Sequence, residues 1–335
     1  MDIDALSSGN VRHDLEIADL QYIYQLPITK LSYLAQGVTQ SHHQEDEVQL
    51  CTLLSVKTGG CKEDCAYCPQ SAHYQTEVDA HGLLKKDAIV AAAQKAKEAG
   101  STRFCMGAAW RSPPKKGEQF NELLSAISAV DEMGLEVCTT LGMLDEEQAH
   151  ALKSAGVYAY NHNIDSSPEF YEKIISTRKF SERLETLKNV RSAGMTICCG
   201  GIIGMGETID DRLKMLLELH RMEPHPESVP INVLVPVEGT PLAQQDTQVV
   251  DPIELAKLIA VARLIMPKSK VRLSAGRLSL SNAEQALCFC MGANSIFAGE
   301  KLLTTPNPAE NEDAEMLSEL GLRPAPVNEN RHVHA

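Results

Sequence analysis

Short apolar runs alternate with longer, charged stretches of helical periodicity along most of this chain. Residues 51–56 (CTLLSV), 103–110 (RFCMGAAW), 135–142 (LEVCTTLG), 158–165 (YAYNHNID), 196–204 (TICCGGIIG), 229–236 (VPINVLVP), 270–277 (KVRLSAGR) and 294–299 (NSIFAG) have the length and apolar content of buried strands. Between them, 85–99, 118–133, 145–155, 181–193, 207–221, 252–265 and 281–291 carry helical periodicity. Ser181 before Glu182 is a helix start signal, and Gly100, Gly134, Gly156 and Gly194 follow predicted helices as stop signals. Eight strands separated by seven helices predict an α/β chain folded as a (β/α)8 TIM-type barrel over residues 51–303. An open, doubly wound sheet has the same order of elements, and the pattern alone does not reveal ring closure. Residues 1–50 read as an N-terminal helical extension, with helices over 10–26 and 27–37. Residues 304–335 read as a short, irregular, polar tail, loosely held, with one helix near 312–320. His332 and His334 alternate there like a metal tag, but a frayed terminus accounts for them.

Composition narrows the function classes. A chain of 335 residues with 43% hydrophobic and 23% charged residues is a folded globular protein and needs no disulfide staples. Its net charge of −14 repels phosphate backbones and anionic lipid, so neither nucleic acid nor a membrane surface is an expected partner. The least charged run, Ser192 to Thr208, is broken by glycines and reads as strand plus loop rather than a membrane span. Asp2, Asp4, Asp14, Glu16 and Asp19 near the N-terminus argue against a secretory or transit signal, so a cytoplasmic location is expected. In a reducing compartment, ten cysteines point to metal ligation or catalysis more than to disulfides. Lys115-Lys116 and the acidic stretch Glu310 to Glu315 read as solvated surface.

The strongest chemical signal is Cys61-Lys-Glu-Asp-Cys65-Ala-Tyr-Cys68, a CxxxCxxC directly after the first strand and behind Gly59-Gly60. Three thiolates within eight residues can converge on one metal centre from a single loop, and in a barrel that loop lies at the end where active sites are built. Closed zinc sites and electron-transfer clusters take four protein ligands. Three ligands on a four-iron cluster leave one iron open to a small molecule. A zinc knuckle completed by a distant residue, with His73 near enough to serve, is the alternative.

Three further cysteines, Cys105, Cys138 and Cys198, fall one on each of three predicted strands. Side chains alternate faces along a strand, so all three could point inward and assemble a second sulfur site. Singly, each also reads as an inert, buried small hydrophobe. Cys199, adjacent to Cys198, must face the opposite way. Cys51, Cys288 and Cys290 read as packing residues. Asn161, Asn163 and Asp165 share one face of the fourth strand, a polar ladder that a purely structural core would avoid. His162 faces away and reads as a satisfied core histidine. Arg178 reads either as a ligand contact or as a solvated surface arginine. Glycines 200, 201, 204 and 206 do not have dinucleotide-loop spacing and read as permitting close approach of a ligand.

The CxxxCxxC with an aromatic residue before its last cysteine resembles the signature of radical S-adenosylmethionine (SAM) enzymes. The strings RFCMGAAW, YNHNID, CCGGIIGMGE, VPINVLVPVEGTPL, VRLSAGR and MGANSIFAG extend the likeness from about residue 25 to 308, and together resemble the biotin synthase family. That resemblance implies a 4Fe–4S cluster on Cys61, Cys65 and Cys68, whose open iron chelates SAM and cleaves it to a 5′-deoxyadenosyl radical. It implies a 2Fe–2S cluster on Cys105, Cys138, Cys198 and, unusually, Arg272, serving as the sulfur donor that turns dethiobiotin into biotin. Tyr67 would pack near the adenine of SAM, and Asn163 and Asp165 would meet its ribose. Asn161, Asn163 and Asn232 would contact the substrate. The arginine ligand is chemically awkward, since a guanidinium offers no lone pair. The resemblance further implies a homodimer and an electron donor such as flavodoxin or ferredoxin. Related radical SAM enzymes that make a maturation ligand or methylornithine, or a non-enzymatic iron–sulfur carrier, would share parts of the pattern; lipoyl synthase carries an extra N-terminal cysteine motif absent here.

Overall fold

The computed structural model describes residues 6–245 and 249–326; His332 and His334 lie outside the described residues. Parallel strands follow one another around a ring: β1 (Glu47–Lys57), β2 (Arg103–Ala108), β3 (Glu136–Thr140), β4 (Ala159–Asn161), β5 (Thr196–Cys198) with its continuation β6 (Gly201–Ile203), β7 (Ser228–Val233), β8 (Lys270–Leu273) and β9 (Ser295–Ala298). Pairing of β1 with β9, from Gln49 opposite Ser295 to Thr52 opposite Ala298, closes the ring. The architecture is the (β/α)8 barrel, and the open sheet is excluded.

Alternation along each strand sorts the side chains. On β2, Phe104 and Met106 join the apolar layer beneath the helices, whereas Cys105 belongs to a separate cluster inside the ring. The outer helices are α1 (Ile17–Gln25) and α2 (Ile28–His42) in the extension, then α3 (Lys86–Glu98), α4 (Glu118–Glu132), α5 (Glu146–Ser154), α6 (Pro168–Ile174), α7 (Phe180–Ser192), α8 (Ile209–His220), α9 (Pro252–Ile265), α10 (Asn282–Cys290) and α11 (Glu310–Glu319). Their starts are chemically marked. Asp145 and Gln148 form a reciprocal capping box on α5, and Ser281 and Glu284 do the same on α10. Gly156, after α5, has a φ of 106°, as a helix stop requires. α9 is apolar almost all round and would be unstable as a surface helix; α1 and α2 pack on it, which explains the extension.

Three departures from the sequence pattern shape the site. β4 ends at Asn161 instead of running to residue 165, because Asp165 takes a φ of 68° and turns the chain toward Gly201. The fifth strand breaks at Cys199-Gly200, where any Cβ on Gly200 would collide with the Pro230 carbonyl oxygen of β7. The segment after residue 303 is docked rather than loosely held. In α11, Met316 and Leu317 are buried and both carboxylate oxygens of Asp313 accept from Nη2 of the buried Arg277 at 2.7 Å, so Asp313 is not solvated surface. β10 (Arg323–Pro324) then pairs with the start of β1. Lys115 and Lys116 are exposed, facing Asp145 and Glu147 as expected of surface charge. Among the described residues no helix is long and apolar enough to cross a membrane.

Candidate active site

The loop after β1 carries Cys61, Cys65 and Cys68, and its shape is set by neighbours rather than by regular structure. Asp64 accepts backbone N–H bonds from Ser176 at 2.9 Å and Thr177 at 3.1 Å, while buried Glu63 pairs with Arg111 at 2.8 Å and accepts from the Thr177 hydroxyl. Burial opposes ionisation of Asp64, but the bonds from Ser176 and Thr177 prevail and hold its carboxyl down at about 2. Ala66 N–H donates to the Ile174 carbonyl at 2.9 Å, and Ala66 carbonyl accepts from Leu242 N–H at 3.2 Å. The loop is thus tied to the end of α6 and to the segment after β7.

Burial pushes the Cys65 thiol up to about 11 and the Cys68 thiol up to about 12, so without a metal both stay protonated. Three thiols on one pinned loop are a donor set suited to iron, and binding would release their protons. Among the described residues no three His, Cys, Asp or Glu side chains stand close enough to hold a single ion as they are. His73, the fourth ligand that a zinc knuckle would need, is exposed with its Nε2 against the Lys62 carbonyl at 3.1 Å.

Beside this loop a cavity of ≈ 220 Å³ is lined by residues that include Tyr67, Cys68, Asn163, Asp165 and Asn232. The Tyr67 hydroxyl donates to Asp165 Oδ2 at 2.9 Å, and the same oxygen takes an ion pair from Arg183. Arg183 is buried, and its Nε donates to the Tyr171 hydroxyl at 3.1 Å. Sequence reasoning missed Arg183. The signal available was a charged residue on the Phe180–Leu184–Leu187 face of α7. Arg178 is buried too, not a solvated surface residue: its Nε reaches Tyr171 at 3.3 Å and its Nη2 lies 3.9 Å from Cys65 Sγ. Two guanidiniums therefore flank the middle cysteine of the loop.

Directly below lies a second cavity, ≈ 120 Å³, whose lining includes Cys105, Cys138, Cys198 and Arg272 along with Asn161, Asn163 and Asn232. Register explains the meeting: Cys105 pairs with Cys138 across β2–β3, and Asn161 with Cys198 across β4–β5. The Cys138 thiol hydrogen-bonds with both Cys105 and Cys198; the bond with Cys105 and burial push its pKa up, the bond with Cys198 opposes them, and the thiol stays protonated. Asn161 spends its amide on the protein, accepting from Thr140 at 3.0 Å and donating to Asn163 Oδ1 and the Cys198 carbonyl at 3.2 Å. Asn232 donates to the Gly201 carbonyl at 2.9 Å and accepts from Ala275 N–H at 3.3 Å, which leaves one amide hydrogen and one lone pair free.

Several residues sit otherwise than the sequence suggested. His162 is buried facing away from the cavity residues, but its Nε2 has no hydrogen-bond partner, and burial keeps the ring neutral. Cys199 packs outward in the main core and Cys288 is buried, as expected, whereas Cys290 is exposed. At Gly200 and Gly201 it is chain rather than ligand that occupies the space of a Cβ: the Pro230 carbonyl, Met215 and the Asp165 carbonyl. Cys51 is not ordinary packing. It is fully buried in the cluster of Cys105, Cys138 and Cys198, and accepts from Arg272 Nη2 at 3.2 Å.

Residues 55–219 match the Radical SAM superfamily, and residues 230–323 match the Biotin and Thiamin Synthesis associated domain. The chain is 56% identical to the biotin synthase of Sorangium cellulosum, covering 95% of this chain and 90% of that one. It is 53% identical to the biotin synthase of Coxiella burnetii (strain Dugway 5J108-111), covering 91% and 94%. The chain belongs to the biotin synthase family. As such it is an enzyme of the radical SAM class, and an iron–sulfur cluster and SAM are its cofactors. The solved structure of methylornithine synthase superposes with a TM-score of 0.78 at 20% identity, covering 96% of this chain and 97% of that one, a likeness of fold alone. Within the biotin synthase family frame, the two stacked cavities occupy the mouth of the barrel and its interior, at the carboxyl ends of the strands.

Proposed function

We propose that this chain converts dethiobiotin to biotin, with a 4Fe–4S cluster held by Cys61, Cys65 and Cys68 and a 2Fe–2S cluster held in the lower cavity by Cys105, Cys138, Cys198 and Arg272. When bound, the first cluster would cleave SAM to a carbon-centred radical and the second would supply the sulfur. The observation that carries this reading is the stacking of a three-thiol cavity beneath a polar cavity that opens on the cysteine loop. A substrate lying between the two would have its reacting carbons held against both, a proximity effect worth far more than concentration in solution.

The roles of the chain's own residues follow from their positions. Tyr67 and Asp165, tied together and to Arg183, form a wall of fixed polarity suited to the adenosine part of SAM. Asn163 lines both cavities, and Asn232 retains a donor and an acceptor for a planar ureido group. Asn161 acts by holding Asn163 and the Cys198 carbonyl in place. The apolar residues Leu53, Phe297 and Leu303, shared by both cavities, keep water from the reacting centre. An external one-electron donor of the flavodoxin or ferredoxin type, a cytoplasmic setting and a homodimer complete the proposal.

The test is anaerobic assay of biotin from dethiobiotin with SAM and a reducing system, alongside iron and sulfide analysis. About six irons per chain are expected from the two clusters together. Cys65→Ala should abolish SAM cleavage, whereas Cys138→Ala should keep some cleavage and lose biotin. A Cys138→Ala enzyme with full biotin yield would remove the lower cavity from the chemistry.

A further inference from the structure

Behind the three thiols that line the lower cavity lies a fourth, outside the proposed ligand set. Cys51 lies on the inner face of β1, two residues before Leu53, which pairs with Cys105 and lines the cavity. It is fully buried in one cluster with Cys105, Cys138 and Cys198. Arg272 bridges it to that set: Nη2 donates to Cys51 Sγ at 3.2 Å and Nη1 to Cys198 Sγ at 3.6 Å, while Nε donates to Ser295 Oγ at 2.9 Å. The guanidinium carbon lies over the Phe297 ring, 4.9 Å from the centroid, and in each of these hydrogen bonds the guanidinium is the donor. That suits a group with five N–H bonds and no lone pair, and it leaves a thiolate as the chemically easier iron ligand at the same spot. The Cys51 thiol also lies 3.7 Å from Ser295 Oγ.

We propose that Cys51 is an alternative fourth ligand of the cluster in the lower cavity, exchanging with Arg272 at that position. When Cys51 ligates, Arg272 stays charged and donates to the cluster sulfurs. The charge of four thiolates is then met by Arg272, since Arg103, one inward step below Cys105, is already paired with Glu136 at 2.9 Å. When Arg272 ligates, Cys51 is a neighbouring thiol held in reserve. Such a reserve has a use in a site whose cluster gives up sulfur, because iron that loses a bridging atom needs other donors to stay bound. The inference rests on the lower cavity holding a two-iron cluster.

The experiment loads the full chain anaerobically with iron and sulfide and reads iron per chain and visible absorption, not activity. Arg272→Met should keep the second chromophore, with Cys51 in the fourth position, and Arg272→Met/Cys51→Ala should lose it while keeping the four irons of the first cluster. A double variant that holds as much iron as Arg272→Met overturns the proposal, and so does an Arg272→Met chain carrying the first cluster alone. Should Arg272→Met lose both clusters, Cys51→Ala decides. A chelator should then extract the second-cluster iron about tenfold or more faster than from the unaltered chain, with Cys51→Ser restoring little although it keeps the bond from Arg272. Unchanged extraction, or full rescue by serine, gives Cys51 a structural role only. An unaltered chain that never exceeds the irons of the first cluster would instead sink the two-cluster reading itself.

Discussion

At the scale of single residues, the decisive arrangement is the buried group of Tyr67, Asp165 and Arg183. Asp165 is the one non-glycine residue at positive φ among the described residues, and its carboxylate is held by one hydroxyl and one guanidinium. A residue in that backbone region stores strain that the surroundings must offset, and such residues gather at ligand sites. Burial would lower the Arg183 pKa, yet the Asp165 carboxylate outweighs it and keeps the guanidinium firmly charged. Arg183→Met leaves a carboxylate buried without its cation, a loss of about 3–5 kcal/mol. The expected result is a lowered unfolding midpoint together with weaker SAM binding in a titration. Adding Asp165→Asn removes the orphaned charge and should recover part of the stability but not the SAM affinity. A double variant no more stable than the single one would show that the ion pair is not what Arg183 contributes. Asn232→Ala is a milder change: SAM cleavage should persist, while dethiobiotin binding weakens about tenfold, because a buried polar group of the substrate loses its partner.

At the scale of elements, the site depends on non-local pins. Asp64 ties the cysteine loop to residues 176–177, and because its folded carboxyl is depressed to about 2, that contribution to stability is present above the ordinary carboxylate range near pH 4 and fades as pH falls toward 2. In the metal-free chain, the stability difference between the unaltered protein and Asp64→Asn, followed by urea unfolding, should be constant above about pH 5 and shrink below pH 4. A difference that does not change with pH would mean Asp64 acts through its shape alone. The Arg277–Asp313 pair likewise pins α11 to the barrel. Asp313→Ala should cost about 3 kcal/mol and expose the segment after residue 303 to limited proteolysis, although Gln285 and the Phe297 carbonyl still accept from Arg277. These pins mark the limit of what the sequence revealed. The strands and, apart from α6, the helices between them were legible, because alternation and periodicity are local properties; for Cys105, Cys138 and Cys198 alternation allowed either face, and the resemblance alone pointed them inward. Docking of α11, burial of Arg178 and Arg183, and the inward place of Cys51 were not. Each depends on a partner far along the chain, and a lone charged or sulfur residue carries no local mark of its environment. The short β4 and the broken fifth strand were hidden for a related reason: the residues suit a strand, but crowding by β7 and the turn at Asp165 override them.

For the molecule as a whole, the closed ring makes access one-sided. All strands run parallel, so their carboxyl ends and the cysteine loop lie at one mouth. At the opposite end the interior is sealed by a polar floor one inward step below the thiols: Arg103 and Gln49 both bond to Glu136, at 2.9 and 3.1 Å, and Ser295 bonds to the Gln49 carbonyl at 3.2 Å. These floor residues are all buried, and such a network is costly to open because each member would lose a partner. The lower cavity shares Leu53, Asn163, Asn232, Phe297 and Leu303 with the upper one, so a molecule filling the upper cavity covers the lower. Ligand binding should therefore govern the lability of a cluster held below. In the loaded chain, SAM and dethiobiotin together should slow extraction of the second-cluster iron by a chelator at least as much as they slow extraction from the cysteine loop. SAM alone should protect the loop more than the interior. If both ligands are bound and the interior iron leaves at its former rate, the floor is not a seal. In that case Gln49→Ala, which loosens the floor without touching the mouth, should accelerate the loss further.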